Sequence, residues 1–479
     1  MCGKASPAAR VRSLDVIPER LRPILDQVSP LAERFDAAGH QIYLVGGIVR
    51  DLVLGRDVTQ ADLDLTTDAR PDATTTLLEA WADAVWPQGA AFGTIGARKG
   101  DTTFEITTHR AEAYRADSRK PRVAYTDDIE VDLSRRDFTV NAMALRLPDV
   151  ALIDPYDGVA DLAAQRLRTP VSPDVSFNDD PLRMMRAARF VAGYGLRPDD
   201  ELVDAVVRLR ARLEIISAER IRDELSKLLV VDEPAAGLWF LADTELADEF
   251  LPELRDMRLE QDPIHRHKDV LAHTIAVTAK TRPRLIVRLA ALMHDVGKPK
   301  TRAIGPKGVS FHHHEVDGDR MTRDRMRALR ISNEVVDDVS RLVFLHLRFH
   351  GYGDEAWTDA AVRRYARDAG PLLEELNELT RCDCTTRNER KARMLAARMD
   401  ALEARIAELR EREALDAIRP DIDGTRVMEI LGVGPGPVVG QALQMLLEAR
   451  LDEGPLGDEE AERRLLAWWS THQSAESSG

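Results

Sequence analysis

The chain has 479 residues, 44% hydrophobic and 31% charged, and a net charge of −15. That balance excludes a disordered chain and a broadly basic nucleic-acid coat, although a local basic groove would still neutralise phosphates. Three cysteines, no 18-residue apolar run and no apolar N-terminal signal segment exclude a disulfide framework and a membrane span, so a cytoplasmic protein is expected.

At roughly 100–200 residues per domain, two to four domains are expected. Residues 1–30 read as a leader ending in a short amphipathic helix. "LAERFDAAG" predicts a helix with a glycine stop, "QIYLVGG" a strand running into glycines, and "ADLDLTT" a second strand. "PDATTTLLEAWAD" predicts a helix opened by Pro71, while "TTFEITTHR" and "NAMALRL" predict further strands. These elements define an α+β head over 31–150. After Asp154-Pro155-Tyr156 the apolar spacing becomes helical, and almost only helices are expected to the end. The expected divisions are a neck over 151–255, a histidine-rich domain over 256–390 and a helical tail over 391–479. A long charged helix is expected between Arg387 and Arg419.

The first cluster of candidate residues lies in "LVGGIVRDLVLGRDVTQADLD". Alternate residues of a strand share a face, so Asp62 and Asp64 present two carboxylates side by side. Such a pair calls for a cation, and oxygen-only ligands suit Mg²⁺ shared with substrate phosphates. Glu105, on "TTFEITT", is a third carboxylate candidate. Gly46 and Gly47 let backbone N–H groups approach a phosphate, and Arg50 lies one turn into the following helix, either on the triphosphate or paired with a nearby acid.

"GGIVRDLVLG…DLDLTT" resembles the head of the polymerase-β-type nucleotidyltransferases, and more narrowly the class II tRNA nucleotidyltransferases and bacterial poly(A) polymerases. "RRDFTVNAMAL" (135–145), "DPYDGVADL" (154–162), "DDPLRMMRAARF" (179–190) and "ERIRDEL" (219–225) follow in that family's order. The resemblance implies a mixed-sheet head followed by all-α neck, HD and tail domains. It assigns Asp180 and Arg183 to reading the incoming base. Cytosine and adenine both pair an exocyclic amine with a ring-nitrogen acceptor, and a carboxylate with an arginine complements that edge. Residues three apart on a helix share a face. Asp180 followed by Pro181 also reads as a helix cap, which is compatible with that role. Arg136, Asp137 and Asn141 are candidates for holding ribose or triphosphate. Arg186, Arg189, Arg220 and Glu224 are candidates for shaping the pocket or ordering Arg183, and Arg186 and Arg189 are counted with the nucleotide-binding residues.

Nine of the twelve histidines fall between 265 and 350. Imidazole and carboxylate sets suit transition metals that activate water. "LMHDVGKP" and its surroundings resemble the HD phosphohydrolase domain. That resemblance implies His273, His294, Asp295 and Asp383 as core ligands, with His314 and His346 completing a second position and His313 as the alternative to His314. Mn, Fe, Ni or Co would suit the site, and Lys298 is a candidate phosphate contact.

The resemblance implies template-independent addition of CCA to tRNA from CTP and ATP, with the tail gripping tRNA. Poly(A) polymerase is the alternative within the family, although "QGAAFGTIGARKGDTTFEITTHR" lacks a basic Arg-Phe-rich insert. A chain that is mainly a metal-dependent phosphohydrolase is the alternative outside it. The sequence leaves CC-only or A-only addition open, as it does the choice between monomer and homodimer.

Overall fold

The computed structural model describes residues 11–13, 19–58, 63–88, 93–113, 122–259, 269–305, 308–349, 357–384, 388–413 and 419–476. Asp62, His265, His267 and His350 lie outside the described residues. The chain divides into two compact units, 1–252 and 253–479. A mixed sheet with helices is followed by a mostly helical remainder.

In the first unit an eight-stranded sheet runs β1-β10-β9-β2-β3-β6-β5-β4. Its strands are β1 Val11–Ser13, β2 Ile42–Val45, β3 Leu63–Thr67, β4 Ala84–Pro87, β5 Thr94–Lys99, β6 Thr102–Thr108, β9 Ala144–Leu147 and β10 Ala151–Ile153. β7 Arg110–Ala113 and β8 Arg122–Tyr125 pair separately. β3 and β6 are the sheet's parallel pair, and their register sets Asp64 beside Glu105. β3 alternates an exposed Asp64 with buried Leu63 and Leu65, so the strand anchors in the core and offers one carboxylate outward. The helix Arg22–Ala37 buries Ile24, Val28, Leu31 and Phe35 on one stripe, the spacing expected of a helix packed on one face.

Several elements differ from the sequence reading. The leader contributes β1 to the sheet edge, antiparallel to β10, and the helix beginning at Arg22 crosses the division expected at residue 30. β4 and β5 also escape that reading. β5 carries a glycine where the indole of Trp86 lies, and a Cβ on Gly96 would stand 2.4 Å from that ring. A strand that leaves room for a neighbour's side chain loses the alternation that marks strands. The region after 150 is not purely helical either. β10 closes the sheet, Arg166–Leu167 pairs with Arg197–Pro198, and Arg302–Gly305 pairs with Gly308–Phe311. These pieces are two to four residues long, too short for a periodic signal.

Helices Pro173–Asp179, Leu182–Tyr194, Asp200–Leu209, Ala218–Leu229 and Ala235–Asp243 complete the first unit. In the second unit, Val270–Lys280, Leu285–Met293, His314–Ala328, Asn333–Leu345 and Leu373–Asp383 carry the histidine cluster or pack around it. The charged helix spans Glu389–Glu413, and a separate apolar cluster around Val427, Leu446 and Leu465 holds the tail together. Among the described residues, no helix is long and apolar enough to cross a membrane.

Candidate functional site

A cavity of about 460 Å³ opens between the sheet and the neck helices of the first unit. Gly46, Gly47, Asp64, Glu105, Arg136, Asp137, Asn141, Asp180, Arg183 and Arg186 all line it. Residues separated by up to 140 positions thus share one wall, and the volume suits one nucleotide.

One side is built by the sheet. Asp64 projects from β3, and Glu105 stands beside it in register on β6, its carboxylate accepting a hydrogen bond from Gln88. Two neighbouring carboxylates opening onto a polar cavity form an oxygen-only donor set, and this fits a hard divalent cation. Gly46 follows β2 at φ +74 and ψ −136, a backbone region closed to residues with a Cβ. A Cβ there would also stand 3.3 Å from Arg136 Nη1 and 3.9 Å from Asp64 Oδ2. Gly46→Ala is therefore expected to cost about 1–3 kcal/mol of stability. Thermal unfolding measures that cost, and nucleotide titration of the surviving fold should show weakened binding as well.

The other side is cationic. Arg110, Arg135, Arg136, Arg183 and Arg186 reach the same cavity. Burial together with the charges of Arg110, Arg183 and Arg136 pulls Arg135 down to about 9. Crowded guanidinium groups repel one another, and a polyanion relieves that repulsion. Asp132, also on the wall, accepts the Arg110 backbone N–H at 3.1 Å and Arg136 Nη2 at 3.4 Å. Arg110, Asp132 and Arg135 are absent from the sequence reading. The doubled arginine of "RRD" is the signal that could have found Arg135.

Asp137 is buried and receives Arg186 Nε at 2.8 Å and Asn141 Nδ2 at 3.0 Å. Burial raises its pKa, but Arg186, Asn141 and Arg183 outweigh that and lower it to about 2. The three-residue spacing to Arg183 predicts Asp180 on a helix face, but Asp180 stands just outside the helix, in the capping role that was its other reading. It is an extended residue between Pro173–Asp179 and the helix starting at Leu182. Its Oδ1 caps Leu182 N at 3.2 Å and its Oδ2 takes Arg220 Nη2 at 3.0 Å. Arg183 is held by Ser176 Oγ at 2.8 Å and by the Arg135 carbonyl.

Arg50 and Arg189 depart from the nucleotide-binding expectation, because neither lines the cavity. Arg50 is buried against Asp51, Asn141 and Tyr194, the structural pairing that was the second reading of this residue. Arg189 pairs with the buried carboxylate of Glu224 and lies over the Phe190 ring. Both guanidinium groups are already committed to protein partners.

The second unit gathers the histidines. His273, His294 and Asp383 form one group, and Asp295, His314 and His346 form another, each with its donor atoms within 4.8 Å of one another. Asp295 links them. Its Oδ2 stands 3.3 Å from His294 Nε2 and its Oδ1 stands 3.5 Å from His314 Nε2. Nδ1–H of His294, His314 and His346 donates to the carbonyls of Ala291, Phe311 and Val343, at 2.7, 2.8 and 2.6 Å. Each Nε2 is thereby turned to the centre, where loss of its proton exposes the lone pair a metal requires. Burial lowers the His294 pKa, but Asp295 and Asp383 outweigh it and raise the group to about 10. Burial and His294 push His346 down to about 3. This donor set fits two borderline cations. The alternative ligand His313 is exposed at the start of the helix whose buried first residue is His314. Lys298 Nζ sits 2.7 Å from Asp295 Oδ2, on a candidate ligand carboxylate.

Three family models match the chain. They are the poly A polymerase head domain over 42–168, the probable RNA and SrmB-binding site of polymerase A over 195–257, and the HD domain over 270–409. The A-adding tRNA nucleotidyltransferase of Deinococcus radiodurans is 34% identical over 444 residues, 89% of this chain and 95% of that protein. The chain belongs to the tRNA nucleotidyltransferase family. A CCA-adding enzyme of Streptococcus suis is 38% identical over 226 residues, 47% of this tRNA nucleotidyltransferase chain and 54% of that protein. The crystal structure of Bacillus stearothermophilus CCA-adding enzyme in complex with CTP shares the fold, with a TM-score of 0.68 at 23% identity, covering 96% of this chain and 100% of that one. The Thermotoga maritima CCA-adding enzyme complexed with tRNA has a TM-score of 0.60 at 18% identity, over 96% and 99% of the two chains.

Proposed function

We propose that this enzyme adds CCA to the 3′ end of tRNA without a template, using CTP and ATP. One observation carries the reading. Asp64 and Glu105 share a nucleotide-sized cavity with Asp180 and Arg183, so carboxylates for nucleotidyl transfer meet groups suited to the amine edge of C and A. In the reaction the RNA 3′-hydroxyl oxygen bonds to the α-phosphorus, the bond to the β-phosphate oxygen breaks, and pyrophosphate leaves. Asp62 and Asp64 would hold Mg²⁺, and Glu105 stands in register beside Asp64. When bound, the cation supplies Lewis-acid polarisation of the phosphate and lowers the pKa of the attacking hydroxyl.

The chain's own groups handle position and charge. Gly46 and Gly47 let backbone N–H groups meet the triphosphate, and Arg136 beside them balances its charge. Arg186 and Asn141 hold Asp137 ionised beneath the nucleotide. Asp180 accepts from the exocyclic amine while Arg183 donates to the ring nitrogen. Both are occupied by protein partners, and a base must exchange with Arg220 and with Ser176. Asp180→Ala is expected to cut ATP over GTP discrimination at least tenfold, because a carbonyl then meets no carboxylate. Single-nucleotide incorporation with each of four nucleotides reads that ratio directly.

Residues 256–390 would form the HD domain, with His273, His294, Asp295, Asp383, His314 and His346 as ligands of a transition metal and phosphoester hydrolysis as its chemistry. Residues 391–479 would bind tRNA. The Deinococcus relative, matched over nearly its whole length, supports a second reading in which only the terminal A is added. Purified protein given tRNA lacking CCA, tRNA ending in CC, or generic RNA separates the readings. Addition of C, C and A supports the first. A single A on the CC end alone supports the second, and long A tails on generic RNA would sink both.

A further inference from the structure

We infer that Tyr194, remote from the cavity wall, is a positioning residue for nucleotide choice. The inference rests on the role proposed for Asp180 and Arg183.

The helix Leu182–Tyr194 carries Arg183 in its first turn, and Asp180 caps it, so both base-reading groups move with this helix. The helix makes three polar ties to the head. Arg183 donates to the Arg135 carbonyl and Arg186 meets Asp137, both near its start. Eight residues beyond Arg186, about 12 Å along the axis, the Tyr194 hydroxyl accepts Arg50 Nη2. The Arg186 and Tyr194 ties are joined inside the head. Asn141 donates from Nδ2 to Asp137 Oδ1 at 3.0 Å and accepts Arg50 Nη1 on Oδ1 at 2.8 Å. Arg186, Asp137, Asn141, Arg50 and Tyr194 therefore form a ring closed through the helix itself.

Asp51 holds the Arg50 guanidinium as well, through Nε at 3.0 Å and Nη2 at 2.9 Å. Arg50, Asp137 and Asn141 are 6%, 8% and 6% exposed. Asn141 can satisfy both neighbours in only one amide orientation. The Tyr194 ring is flanked by two guanidinium groups, Arg50 at 4.1 Å and Arg56 at 4.5 Å from its centroid, and stacks on Phe190 at 5.2 Å. The ties at Arg183 and Arg186 both lie within the first turn or so, and a helix held only at that end could still tilt. The distal tie two turns away fixes that tilt, and we place the fine alignment of Asp180 and Arg183 against Asp64 on it. Tyr194 itself does not line the cavity.

The test uses the full chain, tRNA ending in CC, and ATP or GTP supplied separately. Tyr194→Leu removes the hydroxyl and the aromatic face, and the ATP-to-GTP ratio of kcat/KM is expected to fall about tenfold. Tyr194→Phe keeps the packed ring and is expected to lose part of that ratio, which guards against a folding artefact. Loss of purely structural support would lower the active fraction and scale both nucleotides equally. A ratio equal to wild type in both variants therefore overturns the inference, whether or not overall activity falls. Wild-type protein with no preference for ATP over GTP overturns instead the reading of Asp180 and Arg183, and this inference with it.

Discussion

Asp64→Asn is expected to reduce nucleotide addition by about a thousandfold or more, with little change in folding. Asp64 is exposed on a strand whose neighbours Leu63 and Leu65 are buried, so the isosteric amide leaves the core of β3 unchanged. What changes is charge. A neutral amide beside Glu105 weakens the divalent site, and several kcal/mol of charge neutralisation at the α-phosphate correspond to the stated loss of rate. Single-turnover incorporation at saturating ATP and Mg²⁺ measures it, with thermal unfolding as the control for the fold. Addition within tenfold of wild type would remove Asp64 from the chemistry and return the reading of β3 to an ordinary surface strand.

The second large effect is expected at Asp295. Its two oxygens serve different ligand groups, so Asp295→Asn should impair both at once, whereas His346→Ala should impair one. Metal content after growth in Mn²⁺- or Fe²⁺-supplemented medium is expected to fall from near two per chain to below one for Asp295→Asn. The thermal stabilisation that added metal gives the wild type should disappear with it. Nucleotide addition to tRNA should stay within about twofold, since Asp295 and the head cavity belong to separate compact units. Undiminished metal content in Asp295→Asn would remove Asp295 from the ligand set, and a wild type that takes up no metal would show that the histidine cluster is a hydrogen-bonded core and not a metal centre.

Much of the site is legible in the linear sequence because its chemistry requires rare local combinations. "GGIVRD", "DLD", "RRDFTVNAMA" and "DDPLR" each carry a backbone or charge requirement that few other residues meet, and eight of the residues they flag line one cavity. The histidines are legible for the same reason, as their residue types announce a donor set wherever the chain brings them. Fold class follows from the change of apolar period near residue 150, although the short strands on either side of it carry too few residues to register.

Local sequence carries no information on where a long side chain spends its hydrogen bonds. Arg50 stands one turn after the glycines and reads as a phosphate contact, yet burial commits it to Asn141 and Tyr194, 91 and 144 residues away. Arg135 is marked only by standing in a doubled arginine, yet it enters the cavity among four other cations. Asp295 looks like one ligand among several until packing sets its two oxygens toward different histidine groups. Residue type and local spacing determined which chemistry is available to this chain. Long-range packing alone decided which charged groups face the substrate and which are consumed in holding the others still, because a guanidinium or carboxylate is directed by whichever partners folding brings within about 3 Å.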